Sequence, residues 1–359
     1  MKINIPIFNP NPFSTKTKIE FFLNLATMID AGIPIDQAIR SIVEDSEKST
    51  KNRIFTSLVQ NLEAGKSLNE SMANFPLYFP RSEVSVVKAG EIGGTMTASL
   101  KILVRTLKEQ EFIKKSITSA LAYPGMIFGV MAVVTTVLIL FVIPKLGETF
   151  LRLDVKIPLP TRVMIEVSLF LHKNQTLSII GIVLIAILII LFIRSTIGKK
   201  TFIFILSHIP VTHKIMLELD LARVATIFSS LLTSGIPILE VLDLTRDTLI
   251  LPQVKGTMKQ ISRDLAAGST LEDAFEKHRK IYPSTFRRIL ATGEISGTLE
   301  TSMAQVFEYY SSSVTEKLKN ISVIIEPVIL VLIGLGVGGL IISFIGPVYE
   351  LIGSLNQAI

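Results

Sequence analysis

Three stretches of this chain are too long and too apolar to stay in water, and they fix most of what it can fold into. Crossing a bilayer as a helix takes about 20 apolar residues. The first stretch runs from Gly125 to Ile143 between Pro124 and Pro144, and no Lys, Arg, Asp or Glu occurs from Ser116 to Ile143. The second covers 174–193 between Lys173 and Arg194, and the third 327–349 between Glu326 and Glu350. The remaining segments carry too much charge to span. Composition agrees: hydrophobic residues make up 49% and charged residues 18% of 359, where soluble domains carry about 25% charge. The mean hydropathy of +0.54 points to an integral membrane protein. It excludes a disordered chain and disfavours a soluble enzyme.

Residues 1–18 hold Lys2, Pro6, Pro10 and Pro12 but no continuous apolar run, so they read as a short leader and not a signal peptide. Basic residues near the spans set orientation. Arg105, Lys108, Lys114, Lys115, Arg194, Lys199, Lys200, Lys317 and Lys319 fall on one side. Lys145, Arg152, Lys156, Arg162 and Lys173 fall on the other. The excess places the larger segments in the cytoplasm. The expected organisation is a leader (1–18), a cytoplasmic helical domain (19–123), a span (124–144) and an external loop (145–173). A second span (174–193), a second helical domain (194–326), a third span (327–349) and an external tail (350–359) follow.

The chain also repeats itself with an offset of 203 and no gap. Gly32-Ile33-Pro34-Ile35 returns as Gly235-Ile236-Pro237-Ile238, Ala64-Gly65 as Ala267-Gly268, and Pro80 as Pro283. Gly90-Glu91-Ile92 with Gly94-Thr95 returns as Gly293-Glu294-Ile295 with Gly297-Thr298. Pro124 and Pro144, at the two ends of the first span, return as Pro327 and Pro347. The chain is therefore a helical domain plus one span, twice. The middle span brings the second copy back to the side of the first.

Each copy reads as helices. Ile19, Phe22, Leu23, Ala26 and Ile29 recur at spacings of three and four, as one helix face requires. Gly32 and Gly65 sit where left-handed C-terminal caps belong, Gly90 is read as closing a fifth helix, and Pro34 suits the first turn of a helix. Ser67 with Glu70 makes a capping box, repeated more weakly by Thr270 with Asp273. A long helix is expected from near Thr95 toward the membrane. The fold class is all-α: two homologous six-helix bundles and three transmembrane helices. Pro144 and Pro347 are expected to end their spans.

Chemistry is scarce. The chain has no cysteine, which removes disulfides, thiolate metal sites and cysteine nucleophiles. Gly65-Lys66-Ser67 resembles the end of a phosphate loop, but Gln60 stands where the leading glycine is needed, and the second copy reads Gly268-Ser269-Thr270. His172, His208, His213 and His278 show no metal-ligand spacing, and 36 basic against 30 acidic residues do not suggest nucleic-acid binding. No catalytic constellation or cofactor site is read. Glu91 and Glu294 hold the same place in each copy. Two readings stand open for them: carboxylates favoured by a helix N-terminus, or ligands for a cation or a basic partner. Glu326 lies at a membrane boundary where Tyr123 stands in the first copy. Gly125 with Gly129, and Gly334 with Gly338, have the spacing that lets helices approach closely in a membrane.

These residues resemble a known family. The Gly-Ile-Pro turn, the Gly-Glu-Ile-x-Gly-Thr turn, the proline-led span, and the closing run Ile325-Glu326-Pro327-Val328-Ile329-Leu330 with Gly334, Gly338 and Pro347 are similar to the type II secretion F family, from about residue 17 to 353. Its members are inner-membrane platform proteins of type II secretion systems, type IV pili and Gram-positive competence pili. The resemblance implies a non-enzymatic protein without cofactor. Its implied partners are a cytoplasmic assembly ATPase, pilins or pseudopilins, other inner-membrane assembly proteins, lipid, and further copies of itself. A transporter subunit and a membrane-anchored signalling enzyme are the alternatives from other classes. Three spans with almost no charge make a poor substrate path, and the enzyme lacks catalytic residues.

Overall fold

The computed structural model describes residues 13–44, 50–152, 159–195, 198, 201, 204 and 209–356. His208, Lys156, Lys199, Lys200 and the leader up to residue 12 lie outside them. The described residues are all-α. In the first copy the helices are α1 (Thr15–Asp30), α2 (Ile35–Glu44), α3 (Thr50–Glu63), α4 (Leu68–Ala73), α5 (Arg81–Ile92) and α6 (Met96–Val137). A π-helical turn (Leu138–Val142) leads into α7 (Ile143–Arg152), followed by α8 (Leu159–Lys173) and α9 (Gln175–Arg194). The second copy contributes α10 (Pro210–Thr233), α11 (Ile238–Arg246), α12 (Pro252–Ala266), α13 (Leu271–Glu276), α14 (Ser284–Ser296) and α15 (Leu299–Asn356).

The chain divides into two compact units. One takes in the helices before Ser116 and those from Pro210 to Lys317, so both copies of the helical domain fall in it. The other takes in Ile117–Lys199 and the chain from Leu318 onward.

In the first unit, each copy closes its turns in the same way. Six glycines have positive φ: Gly32, Gly65 and Gly94, and in register Gly235, Gly268 and Gly297. At Gly94 (φ 64°) the Thr95 N–H reaches back to the Gly90 carbonyl and the Gly94 N–H to that of Glu91. This is the paired closure that needs a left-handed residue, which only glycine supplies without strain. Ser67 and Glu70 form a complete capping box on α4, whereas Thr270 caps α13 from one side only. Lys66 reaches Asn61, and Ser67 caps its helix, so this turn works as a cap.

The core of the first copy is aromatic. Phe13, Phe21, Phe22 and Phe79 are nearly inaccessible, with Phe21 stacked on Phe55 at 4.5 Å. The second copy buries Phe275, Tyr282 and Phe286 in the equivalent region, with Phe275 edge-on to Tyr282 at 4.7 Å. Each such ring contributes roughly 1.5–3 kcal/mol of burial.

Among the described residues, two helices are long and apolar enough to cross a membrane, Met96–Thr149 and Leu299–Gly339, and the second unit holds the parts of them beyond Ser116 and Lys317. Only 11% and 6% of their most apolar stretches are buried within the protein. An apolar surface left so open is suited to lipid. The middle span passes the same test only as a bent pair, Arg162–Lys173 with Thr176–Ile185, turned by 99°. The segment read as an external loop therefore contains α7 and α8.

The prolines do not end the spans. Pro124 lies inside α6, Pro144 inside α7 directly after the π turn, and Pro327 and Pro347 inside α15. Stopping a helix in hydrocarbon strands backbone groups without partners, so the helix continues around each ring. Glu326 also lies within α15. Around Gly125, Gly129, Gly334 and Gly338, a Cβ would meet no described atom within 4 Å, so no neighbouring helix packs on these faces here.

Candidate functional site

Glu91 and Glu294 each bind the start of a different helix from their own. The Glu91 carboxylate accepts from the Leu68 N–H (2.6 Å) and the Asn69 N–H (3.1 Å), and also from the Asn69 side-chain amide. Glu294 repeats this with Leu271 (2.7 Å) and Glu272 (2.9 Å). The first two amides of α4 and α13 have no intrahelical acceptor. Ser67 and Thr270 satisfy the third residue of each helix, and the glutamates satisfy the first two. The helix in question is one met 22 or 23 residues earlier in the chain. Glu91→Ala is expected to destabilise the full chain by roughly 1.5–3 kcal/mol, the range for hydrogen bonds to a charged group. Glu91→Gln, which keeps an acceptor oxygen, loses less. Thermal unfolding of the purified protein measures both, and an unchanged midpoint in the alanine variant removes the capping role.

Gly90 and Gly293 do not cap helices. They lie inside α5 and α14, four residues before the left-handed glycines Gly94 and Gly297. A Cβ at Gly90 would fall 2.7 Å from Ser99 Cβ, and one at Gly293 2.7 Å from Ser302 Cβ. The missing side chain lets α5 approach α6, and α14 approach α15, closely enough for a serine to fill the gap. The signal was in the sequence as a Gly/Ser pair recurring at the same spacing in both copies.

Where the copies differ, they exchange charge for hydrocarbon. Lys18 in α1 and Glu83 in α5 form a buried ion pair, with Lys18 Nζ 2.8 and 3.0 Å from the two carboxylate oxygens. Burial pushes the Glu83 carboxyl above its ordinary value, opposed by the Lys18 charge and its hydrogen bonds. In register, the second copy places Leu221 and Phe286 there, both fully buried. Conversely, Thr257 and Tyr282 share a buried hydrogen bond (2.8 Å) where the first copy has Ile54 and Phe79. The second copy also buries Asp220, which accepts from the Ile250 and Leu251 amides at 2.8 and 2.7 Å, just before α12. Burial pushes its carboxyl up to about 6, against the opposing pull of Arg223 and those two amides. A module that can hold its core either way uses these groups for packing and capping.

At Pro144 the structure supplies what the ring removes. The proline has no N–H, so the carbonyls four and five residues before it, Leu140 and Ile139, lose a donor. Ser168 Oγ donates to Ile139, and His172 Nδ1 lies 2.8 Å from the Leu140 oxygen. A carbonyl only accepts, so Nδ1 carries the proton. Ser168 and His172 are one turn apart on α8. A Cβ at Gly147 would fall 2.4 Å from Ile165 Cγ2, so this glycine admits α8 against α7. His172 lacks metal-ligand spacing, and nothing local in the sequence marks Ser168 or Gly147. Among the described residues, no group of three or more His, Asp or Glu is placed to hold a metal ion.

Duplicated helical modules, each ending in a helix that continues into an apolar segment, define a membrane scaffold. The chain belongs to the family described as "Type II secretion system (T2SS), protein F", whose sequence model matches residues 21–144 and 224–347. The two matches are displaced by the repeat offset of 203. Among relatives, the type IV pilus assembly protein PilC of Myxococcus xanthus is 25% identical, covering 95% of this chain and 82% of that protein. The PilC of Thermus thermophilus is 26% identical over 99% and 87%. The type II secretion system protein F of Vibrio cholerae is 24% identical over 91% and 80%.

Proposed function

We propose that this chain is an inner-membrane platform protein of a type IV pilus or type II secretion machine. It couples a separate cytoplasmic assembly ATPase to the extraction of pilins or pseudopilins from the bilayer, and it is a scaffold, not an enzyme. In this reading two six-helix modules lie in the cytoplasm and three spans lie in the membrane. Glu91, Glu294 and the glycine turns beside them hold each module in one shape. Its partners are the ATPase, the pilins, other inner-membrane assembly proteins, surrounding lipid and further copies of the chain.

The observation that carries the reading is continuity of the helices. α6 and α15 begin inside the modules and run without a break into the apolar segments. α15 has 58 residues, about 87 Å of helix at 1.5 Å per residue. Lifting a hydrophobic pilin helix out of lipid costs about 0.8 kcal/mol per methylene, so the work must reach the membrane through a stiff element. An unbroken helix is such an element, and a flexible linker is not.

Reporter fusions test the topology. A fusion at residue 260 is expected to report the cytoplasm, and one at residue 160 the outside. Deleting the chain from its host should abolish fibre assembly while prepilins accumulate in the membrane. A cytoplasmic reporter at 160, or fibres made at the usual level without the chain, overturns the proposal.

A further inference from the structure

α8 has three faces, and among the described residues nothing covers one of them. The first face packs on α7 and the π turn. Ile165 meets Ile143 in a small apolar core, Ser168 is buried, and His172 reaches the Leu140 carbonyl. The second face is charged. Arg162 and Glu166 pair across one turn at 2.9 Å, with both side chains well exposed. The third is apolar and open. Leu159, Val163, Val167 and Phe170 recur at spacings of four, four and three, and they are 77%, 53%, 52% and 67% exposed. That spacing lines them along one side of the helix, in a stripe about 17 Å long at 1.5 Å per residue. A contiguous apolar patch marks a surface that meets lipid or protein.

The neighbouring helix says which. α9 starts directly after α8 and has 20 residues, so it is about 30 Å long, enough to cross the hydrocarbon by itself. Leu177, Ile180 and Leu184 along it are each more than half exposed, as lipid-facing side chains are. Spans tilt by about 20° from the bilayer normal on average. With α9 as a span, α8 is turned by 99° from it and runs close to the bilayer plane, at the level where the span begins. Its open stripe is then continuous with the lipid-facing surface of α9.

The corner fixes which side of α8 looks into the membrane. Ser178 Oγ, in the first turn of α9, donates to the Leu171 carbonyl (2.9 Å), so the Leu171 side of α8 is the side toward the span. Counted from Leu171 at about 100° per residue, Met164 and Val167 fall on that side, with Val163 and Phe170 on its flank. Arg162, Glu166 and Lys173 fall on the far side. A re-entrant course would carry that ion pair and Lys173 into hydrocarbon, which is costly.

We propose that α8 is an interfacial helix, lying along the membrane surface with Leu159, Val163, Val167 and Phe170 seated in lipid where headgroups meet acyl chains. Arg162, Glu166 and Lys173 face the headgroup water. The leaflet is the one in which α9 begins, the outer one in the topology given above. Amphipathic helices of this kind sink their apolar side about 5–10 Å into that boundary. Held to α7 and the π turn by Ile165, Ser168 and His172, α8 sets the depth of the proline-bearing end of the first span. This rests on the reading of α9 as a span, which the test reads separately.

The chain contains no tryptophan, so a single introduced indole reports its own surroundings. Full-length F170W, V163W, E166W and L184W are purified and reconstituted singly in phosphatidylcholine vesicles. Each is quenched by lipids brominated near the headgroup end or near the methyl end of the acyl chain, and by iodide in the water. F170W, which swaps one aromatic ring for another at an open site, and V163W are expected to lose several-fold more emission to the shallow bromine than to the deep one, and little to iodide. L184W, midway along α9, should be quenched best by the deep bromine, and E166W by iodide. If iodide quenches F170W and V163W as readily as E166W, α8 stands in water and the proposal is overturned. Strongest quenching by the deep bromine makes α8 part of a broken span, and shielding from both lipid and iodide assigns the stripe to a protein. Either result overturns the proposal while leaving α9 a span. An L184W signal that no lipid quenches removes the span itself, and the proposal with it.

Discussion

Replacing Lys18 with methionine should destabilise the full chain by about 3–5 kcal/mol, the range for stranding one charge of a buried pair. The partner left behind, Glu83, is buried, and burial already pushes its carboxyl up. Removing Lys18 takes away the opposing influences and raises it further. A carboxyl whose folded value exceeds its unfolded value binds its proton more tightly in the folded state, so stability falls as pH rises between the two values. The K18M penalty is therefore largest at neutral pH and shrinks as the medium is acidified toward the unfolded carboxyl range. The double variant K18M/E83L removes both charges at near-constant volume and is expected to lie within about 1.5 kcal/mol of wild type. The second copy motivates that expectation, since Leu221 and Phe286 already fill the same register without charge. Thermal unfolding of the four proteins across pH 4–8 measures the cycle. A K18M midpoint equal to wild type at neutral pH would show that the pair does not hold α1 to α5.

The second large effect is expected at the glycines packed between helices. Gly90→Ala puts a Cβ 2.7 Å from both heavy atoms of the Ser99 side chain and 3.3 Å from the Met96 backbone. Gly293→Ala meets Ser302 at 2.6 and 2.7 Å and the Leu299 backbone at 3.1 Å. The serine Cβ cannot swing away, so α5 must separate from α6, and α14 from α15, at a cost of roughly 1–3 kcal/mol each. Shrinking the neighbour, as in G90A/S99G, should recover part of the loss, which a defect in helix propensity would not. Gly256→Ala is the control. Gly256 lies inside α12 with nothing within 4 Å of a new Cβ, so the change should stabilise by about 0.5–1 kcal/mol. Equal effects of G90A and G256A would refute the packing account.

Turns that close within a few residues are legible along the chain, and contacts between distant segments are not. Gly32 and Gly65 were legible because a left-handed turn is a local event between two periodic segments. Gly90 was assigned the same role and has another, because its reason lies nine residues on, in the side chain of Ser99, across a turn that Gly94 makes. Its place after Gly90 suggests that Glu91 stands before a new helix; it lies in the last turn of α5, and the N-terminus that its carboxylate meets belongs to another helix. The helix is α4, already formed earlier in the chain, and neither spacing nor composition says which amides a carboxylate will meet. Pro144 was read as a stop because proline lacks a donor. Ser168 and His172 supply donors from a helix that follows the proline by some two dozen residues, so the expected break becomes a π turn.

By itself, then, the sequence determined the all-α class, the apolar segments, the duplication and its offset, and the turns that glycine closes. Hydrophobic periodicity, span length and backbone sterics act within a few residues, so they can be read along the chain. Tertiary structure alone decided that both modules share one compact unit, that α10 is covered while its twin α1 is open, and that one copy holds its core with an ion pair where the other uses Leu and Phe. Each of those outcomes depends on which surfaces meet. Two modules built on one repeat pattern bury different faces in different surroundings, and the shared turn pattern does not say which.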